Sequence, residues 1–549
     1  MRLKTGSSLL CLTLFTGVAV LAQTPSIDNG GVVNAASYAY AGLPSSAIAQ
    51  GSIFAIFGKN LGPAIFAQSG AYPIPTQLGG TSVKVTSGAV TAQAFLFLAS
   101  AGQITAMLPS NIPAGSASLT VTTSAGTSAG QSFQVAANSF GTFAANSGGS
   151  GPGIITDADY KSFNATTAAN PGQAAVIWGT GLGPVAGNEA AGPLNGDTTV
   201  PVEVYVGTTK AVVTYRGRSG CCAGLDQIVF TVPTDVTGCR VPVTLKINSV
   251  VSNNTTMATS NVGTRTCSDA GGPTPADLQK FRTNGVATGG VTLSRTSTTV
   301  TVPFLGSVTT TADLGAATFQ KFTPAQLDTA GNPFNTVQIG SCTVSYFKGN
   351  PSPGDVTIPQ FLDAGTQISV NGAAGLRQLT KVSAGGFTSY TGPLSVPGSS
   401  TGYLEPGLFT ITGAGGADVG AFTGSLTVAA SLNWTNRTAI TDVIRANGQN
   451  VTWTGADPAG TVLISGSSSS GTTVDAVGAT YTCHANASAG NFTIPSQVLL
   501  ALPVSVAVQN LPTGAMLVGT YGARPFTASG LDVGSMLYLN LTVTVLNYK

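Results

Sequence analysis

Apolar positions recur at every second residue in short runs along most of the chain, and Gly, Pro or Ser closes each run. In the first quarter these runs are SIFAIFG, TSVKVTS, AQAFLFLAS, QITAMLP and ASLTVTTS. A period of two sends alternate side chains to opposite faces of an extended chain, so each run predicts a short strand with one buried face. The rhythm returns further on as AAVIWG, VEVYVG, AVVTYRG, QIVFTVP and VPVTLKIN. The two sets also repeat in order. Residues 51–63, GSIFAIFGKNLGP, are answered by 172–184, GQAAVIWGTGLGP. GTSVKVTSG at 80–88 is answered by VPVEVYVG at 200–207, and GQITAMLPSNI at 102–112 by DQIVFTVPTDV at 226–236. The offset stays between 119 and 124 residues, the mark of a duplicated domain.

Five to seven short strands within about 110–130 residues is the size and rhythm of an immunoglobulin-like sandwich. Residues 28–137 and 138–267 are therefore read as two such domains. A linker, SDAGGPTP at 268–275, leads to a third region, 276–549, with no copy of the repeat. Two short helices are expected there, at PADLQKF and at FTPAQLD (322–328). The remainder reads as strands: SVTTTADL, CTVSYF, GTQISV, LFTITG, SLTVAASLNW, NVTWTG, GTVLISG, ATYTCHA, VLLALP and LYLNLTVTVL. The fold class is all-β: two tandem immunoglobulin-like sandwiches, then a larger antiparallel β-sandwich of jelly-roll-like kind. SGSSSSGTT at 465–473 is expected to be an exposed hairpin tip. The apolar run 494–508 contains Pro503 and is not read as a membrane span.

Composition agrees. Gly and Pro number 71 and 30, enough to punctuate many short strands, and hydrophobic residues make up 42%, too many for a disordered chain. Charged residues are only 8%, so Ser, Thr, Asn and Gly must cover the surface. Residues 1–22 read as a secretory signal. Arg2 and Lys4 form the charged start, Leu9 to Leu21 the apolar stretch, and Val20-Leu21-Ala22 an acceptable cleavage site. The stretch is short for a membrane anchor, and Cys11, with bulky Leu10 before it, is poorly placed for a lipid. Loss of Arg2 and Lys4 from the 22 basic residues leaves 20 against 20 acidic ones. A neutral chain offers no field to hold nucleic acid. The expected location is secreted, cell-surface or periplasmic.

Six cysteines follow the signal: Cys221, Cys222, Cys239, Cys267, Cys342 and Cys483. Their even counts in each region, and the lack of compact zinc-ligand pairs, read as disulfides in an oxidising compartment. Cys342 is expected to pair with Cys483, the only two in their region. Cys221 and Cys222 are expected to pair separately with Cys239 and Cys267, because adjacent residues rarely bridge each other.

The ordered segments VNAASY, GSIFAIFGKNLGP, GGTSVKV, GQITAMLP, GQAAVIWGTGLGP, PVEVYVG, YRGRSGCCAGLDQIVFTVP and GCRVPVTLKI carry a further likeness. Over residues 30–267 they resemble the acidobacterial Solibacter-type uncharacterised C-terminal domain family, itself similar to IPT/TIG immunoglobulin-like folds. The resemblance implies a secreted β-sandwich with an accessory or surface role, and it brings no catalytic residue. Here the matching segment comes first and about 280 residues follow it, whereas in that family it usually closes a larger chain.

Candidates for chemistry are few. His484, the only histidine, is read as a surface residue beside Cys483. Three Glu (Glu189, Glu203 and Glu405) give little material for a paired-carboxylate site. Asp157 and Asp159 are the densest acidic cluster and read as a turn, with a calcium or acid site as the alternative; Asp418 and Asp457 also read as turns. Trp178, which takes the place of Phe57 in the first repeat, and Trp434 and Trp453, by parity with their apolar neighbours, are assigned to strand cores. GTGLGP and GAGGADVG lack the strand-to-helix setting of a phosphate loop. Tyr38, Tyr40, Tyr72 and Tyr403 lie in loop-like sequence and are the candidates for exposed contacts. No catalytic residue, metal ligand or cofactor is assigned. The expected role is structural or adhesive, with glycans or envelope proteins as partners. A carbohydrate-binding protein is the first alternative, and a hydrolase with its site in 276–549 the second.

Overall fold

The computed structural model describes residues 23–549 apart from 270–271, 303–305, 328–339, 350–357, 396–401, 472–475 and 510. The expected signal lies outside the described residues. The first repeat begins with β1 (Ser26–Asn34) and β2 (Ile53–Lys59) and continues through β3 (Thr81–Ser87), β4 (Phe95–Ala99), β5 (Gln103–Met107), β6 (Gly115–Thr123) and β7 (Gln131–Ala136). One sheet runs β1-β2-β5-β4 and the facing sheet β7-β6-β3, with two-residue strands at the edges. Alternation in β3 turns Thr81, Val83, Val85 and Ser87 inward. There the valines meet Phe54, Ile56, Leu96, Ile104, Leu119 and Val121 in one core.

The second repeat contains β8 (Ala174–Thr180), β9 (Val202–Val206), β10 (Thr209–Arg218), β11 (Asp226–Thr231), β12 (Gly238–Ile247) and β13 (Thr255–Thr259). Its motif strand keeps the register of the first. Ile53 faces Met107 and Phe57 faces Gln103 across β2 and β5. At the same motif positions, Ala174 faces Thr231 and Trp178 faces Gln227 across β8 and β11. The copies differ where the chain crosses between sheets. In the first, Val90–Gln93 pairs with β3 and β4 pairs with β5. In the second, β10 is unbroken and pairs with both β9 and β11, shifting register between Val213 and Tyr215. This joins the second repeat into one 11-stranded sheet.

The third region opens with α1 (Pro275–Asn284). Thr274 accepts a hydrogen bond from the Asp277 amide, the Asp277 carboxylate accepts one from the Thr274 amide, and Pro275 fills the first turn. FTPAQLD yields one turn of 3₁₀ helix, Pro324–Gln326. Two 17-residue strands, β14 (Val286–Val302) and β15 (Gly306–Phe322), form a long hairpin. Next come β16 (Cys342–Lys348), β17 (Gln367–Gly372), β18 (Gly375–Ala384), β19 (Phe387–Pro393), β20 (Gly407–Gly413), β21 (Phe422–Val428), β22 (Asn433–Trp434) and β23 (Gln449–Thr454). The last elements are β24 (Thr461–Ser469), β25 (Val477–Asn486), β26 (Asn491–Ile494), α2 (Ser496–Leu500), which takes the start of VLLALP in place of the expected strand, β27 (Gly514–Phe526) and β28 (Val533–Tyr548).

Twelve of these strands lie in the order β16-β25-β24-β27-β28-β14-β15-β19-β18-β17-β20-β21. The ladder between β14 and β28 is parallel and the others are antiparallel. The sheet curls until β21 meets β27, with the Phe422 and Phe526 rings 4.6 Å apart. It encloses a core of Val291, Leu293, Phe319, Ile368, Val370, Leu379, Tyr390, Phe409, Ile411 and Met536. The far halves of β27 and β28 send Met516, Val518, Leu546 and Tyr548 into a second core, closed by Trp434, Val451, Trp453 and Ile494 of the β22-β23-β26 sheet.

The serine-rich segment expected as a hairpin tip departs from expectation at 465–469, which belong to strand β24, and its residues 472–473 lie outside the described residues. Gly466 and Ser468 point inward. A Cβ at 466 would strike the hydroxyls of Tyr481 and Tyr548. Small residues there are the counterpart of two large rings, not a sign of a loop.

The three parts are packed together. Ala39 and Leu43 of the first repeat, with Tyr40 half-buried beside them, rest on Val477 and Tyr346 of the third region. The Cys239–Cys267 pair of the second repeat joins Leu278, Phe281, Val286 and Phe322 in a further apolar cluster.

Candidate functional site

The densest polar chemistry lies where the two repeats meet. Arg218, the last residue of β10, stands opposite Asp226, the first of β11. Both side chains are buried, and the guanidinium forms an ion pair with Oδ1 of Asp226. Oδ2 of Asp226 accepts from the amides of Gly181 and Leu182, at 2.6 and 2.8 Å. Complete burial leaves the Asp226 carboxyl raised, although the guanidinium and the two amides oppose the shift. All of these partners donate, so they hold a carboxylate. The other arm of Arg218 donates to the carbonyls of Gly51, at 2.9 Å, and Gly183, at 2.6 Å. One arginine thus grips the start of the first motif copy and the end of the second. Gly51 has φ +68°, and a Cβ there would lie 2.6 Å from the Arg218 guanidinium, so both conformation and space require glycine.

Other bonds reinforce the junction. Asn34 donates to the carbonyls of Ser139 and Thr180, and the Ile53 amide donates to Thr180 Oγ1. The Ala223 amide donates to the Tyr72 hydroxyl at 3.0 Å. The Ser110 amide donates to Glu189 Oε1 at 2.8 Å, and the Val185 amide to Ser110 Oγ at 3.0 Å. A shallow cleft with room for little more than one water molecule opens here, lined by Val185, Glu189, Leu194, Arg218, Cys222 and Ala223 among others.

The disulfides differ from expectation in one respect. Cys342 pairs with Cys483 across the β16–β25 ladder. Cys239 pairs with Cys267, and Cys221 with its neighbour Cys222. The expected separate pairing of Cys221 and Cys222 with Cys239 and Cys267 is therefore corrected. Residues 219–225 fold over the first repeat, where Gly224 sits against Ile53 and Met107. Cys239 and Cys267 meet on the other side of the domain, against α1.

The four tyrosines do not form a common surface. Tyr72 is 42% exposed and accepts the Ala223 amide. Tyr38 is half-buried with its ring 6.2 Å from that of Phe57, and burial pushes its phenol up. Tyr40 is half-buried at the contact with the third region. Tyr403 is buried, which corrects its reading as an exposed contact. Its hydroxyl bonds to the Val370 and Gly375 carbonyls, and Arg377 lies 4.8 Å over its ring. The Tyr403 and Leu404 amides donate to Asp313, which Arg295 holds in a two-point pair. Burial opposes charge on Asp313, but Arg295 and the two amides outweigh it and keep the carboxyl below the usual range.

Trp434 and Trp453 are buried, but Trp178 is only half-buried. Its indole N–H donates to Thr156 Oγ1 at 3.1 Å, and Tyr160 packs on it. Its reading as a core residue is corrected, because Ala175 and Ile177 take the inward face of β8. Asp157 caps a turn through the amides of Asp159 and Lys161. His484 is half-buried and stacks on Tyr521 at 5.1 Å. Among the described residues no three His, Cys, Asp or Glu side chains converge to hold a metal ion. No helix among them is long and apolar enough to cross a membrane.

No family model and no curated protein matches the chain. Among solved structures it is similar to the plexin A4 extracellular region, at 13% identity and a TM-score of 0.17, covering 43% of this chain and 18% of that one. It is similar to a tetra-tandem repeat from the extending region of a large adhesion protein, at 13% identity and a TM-score of 0.12, covering 96% and 99%. It is also similar to SGBP-B from a xyloglucan utilization locus in Bacteroides uniformis, at 10% identity and a TM-score of 0.16, covering 81% and 74%. Scores this low carry no argument about role.

Proposed function

We propose that this chain is a secreted, non-enzymatic surface protein with a structural or adhesive role, whose third region makes the contact. The observation that carries this reading is the outer face of β19-β18-β17-β20-β21. Register and burial place Thr391, Ser389, Gln378, Thr380, Ser369, Asn371, Thr410, Thr412, Thr423 and Ser425 on that face. Leu376, Val382, Phe387 and Leu408 are scattered among them, and no Asp, Glu, Lys or Arg among the described residues joins them. Such a face suits broad, weak, uncharged contact with neutral glycans or envelope proteins. The resemblance of 30–267 to the Solibacter-type family points the same way. The immunoglobulin-like modules, docked against the third region, act as its rigid support.

One feature favours carbohydrate as the partner. Phe361 and Phe387 pack at 5.3 Å at the edge of this face, and Phe387 is 51% exposed. A sugar ring stacks on such an aromatic surface. The test is binding of the whole chain to isolated envelopes and to a panel of neutral polysaccharides at low and high salt. Adsorption that hardly changes with salt and weakens in Phe387→Ala is expected. Steeply salt-dependent binding, or polysaccharide hydrolysis abolished by one Asp or Glu substitution, would overturn the reading.

A further inference from the structure

Two of the disulfides are buried and join distant residues: Cys239–Cys267 spans 28 positions and Cys342–Cys483 spans 141. Such bridges stabilise by restricting the unfolded chain. Cys221–Cys222 joins neighbours, closes almost no chain, and gains nothing from that effect. Both of its cysteines are exposed. The bridge instead makes a small ring around the peptide bond between them, inside the loop that clamps the repeats together. The Cys222 carbonyl accepts the Leu225 amide, and the Ala223 amide donates to the Tyr72 hydroxyl. The Gly224 carbonyl accepts from Thr180 Oγ1, which itself accepts the Ile53 amide. Ala223 also packs on Ile74 and Met107 of the first repeat.

We infer that Cys221–Cys222 is a thiol-exchange site for a dithiol, and that its reduction loosens the contact between the two repeats. An exposed disulfide is open to thiolate attack and a buried one is not. Ser219 sets the direction. Its hydroxyl donates to Cys221 Sγ at 3.4 Å while accepting the Cys221 amide at 3.2 Å. A thiolate leaving from Cys221 strengthens that bond, so attack falls on Cys222 Sγ. The incoming sulfur bonds to Cys222 as the Cys221 thiolate departs. The second thiolate of the reductant then attacks its own bound sulfur, which closes the reductant's disulfide and releases the Cys222 thiolate. The protons of the dithiol end on the two cysteines, and its electron pair reduces the bridge. A monothiol lacks the second step, and Cys221 expels it again. With the ring open, the backbone from Cys221 to Ala223 regains freedom and no longer presets the bond to Tyr72. The Arg218 grip on Asp226 and Gly51 lies outside the ring, so the junction loosens without coming apart. The inference does not depend on the role proposed for the third region.

The test treats the intact, oxidised protein with dithiothreitol or with 2-mercaptoethanol at equal thiol concentration, then alkylates and maps the peptides. Dithiothreitol is expected to open Cys221–Cys222 about tenfold faster than either buried bridge, and 2-mercaptoethanol to open far less of it. Ser219→Ala should slow this opening about threefold and leave the other two bridges unchanged. Amide hydrogen exchange of the selectively reduced protein reports the clamp. Ala223 and Leu225 should exchange about tenfold faster than in the oxidised protein and recover on reoxidation. The double variant Cys221→Ser with Cys222→Ser should show the fast exchange with or without dithiothreitol. Equal opening rates for the three bridges, or unchanged exchange at Ala223 after selective opening, would each overturn the inference. Unchanged opening in Ser219→Ala would overturn the attack at Cys222.

Discussion

Tyr38 and Tyr160 hold the same place in the two repeats. Each adopts the left-handed backbone region, with φ 50° and 63°. Each lays its ring beside the outward aromatic of the motif strand, Phe57 at 6.2 Å and Trp178 at 5.7 Å. A side chain in this region costs about 1–2 kcal/mol, so the pairing has survived duplication at a position where glycine would be easier.

Tyr160→Ala should therefore uncover Trp178. Trp434 and Trp453 are buried, so the change should appear as a red shift and stronger quenching of one tryptophan in three. Tyr160→Gly should be more stable than Tyr160→Ala by about 1 kcal/mol in chemical denaturation, because glycine relieves the backbone. The reverse order would show that the ring contact does not act against a strained residue.

The Arg218–Asp226 pair should be strongly asymmetric to mutation. Asp226→Ala leaves a buried guanidinium without its counter-ion and frees the Gly181 and Leu182 amides, a loss of about 3–5 kcal/mol. Replacing both residues together, as Arg218→Met with Asp226→Leu, should cost less than Asp226→Ala alone. Denaturation midpoints of the two variants measure this directly, and a double variant less stable than Asp226→Ala would refute it.

Non-reducing peptide mapping should recover Cys221–Cys222, Cys239–Cys267 and Cys342–Cys483. The last closes a separation of 141 residues. Replacing both of its cysteines by Ser should lower stability by about 2–4 kcal/mol. A peptide joining Cys221 or Cys222 to Cys239 would contradict the clamp made by residues 219–225.

On the outer face of the second repeat, Tyr205 donates to Glu203 at 2.5 Å, with Lys210 and Lys246 at 3.0 and 3.5 Å. The Tyr205 hydrogen bond, then the lysines, pull the Glu203 carboxyl down to about 2 from 4.5, against modest burial. A depressed carboxylate stabilises the fold fully above its unfolded value. Its contribution should be complete above about pH 4.5 and fade as pH falls toward 2. A carboxyl-carbon titration by NMR should show this midpoint, and Tyr205→Phe should move it up. An unchanged midpoint in that variant would assign the shift to the lysines instead.

The strand rhythm, the duplication and its 119–124 offset, and a short helix at PADLQKF follow from the sequence alone, because alternation, turn residues and helix-forming residues act over a few neighbours. Local pattern fails where both parities of a strand are apolar. In AAVIWG nothing nearby says whether Ile177 or Trp178 faces inward, and the packed sheets choose Ile177. It fails equally where a distant group decides. Tyr403 is buried where its hydroxyl meets the Val370 and Gly375 carbonyls and its amide meets Asp313, 90 residues earlier. Glu189 and Arg218 have no local signature as a pair; the folding of the second repeat puts them in one cleft. The sequence determined which segments are strands and that they repeat. Tertiary structure decided which faces, cysteines and charges meet, because those choices depend on contacts between residues far apart along the chain.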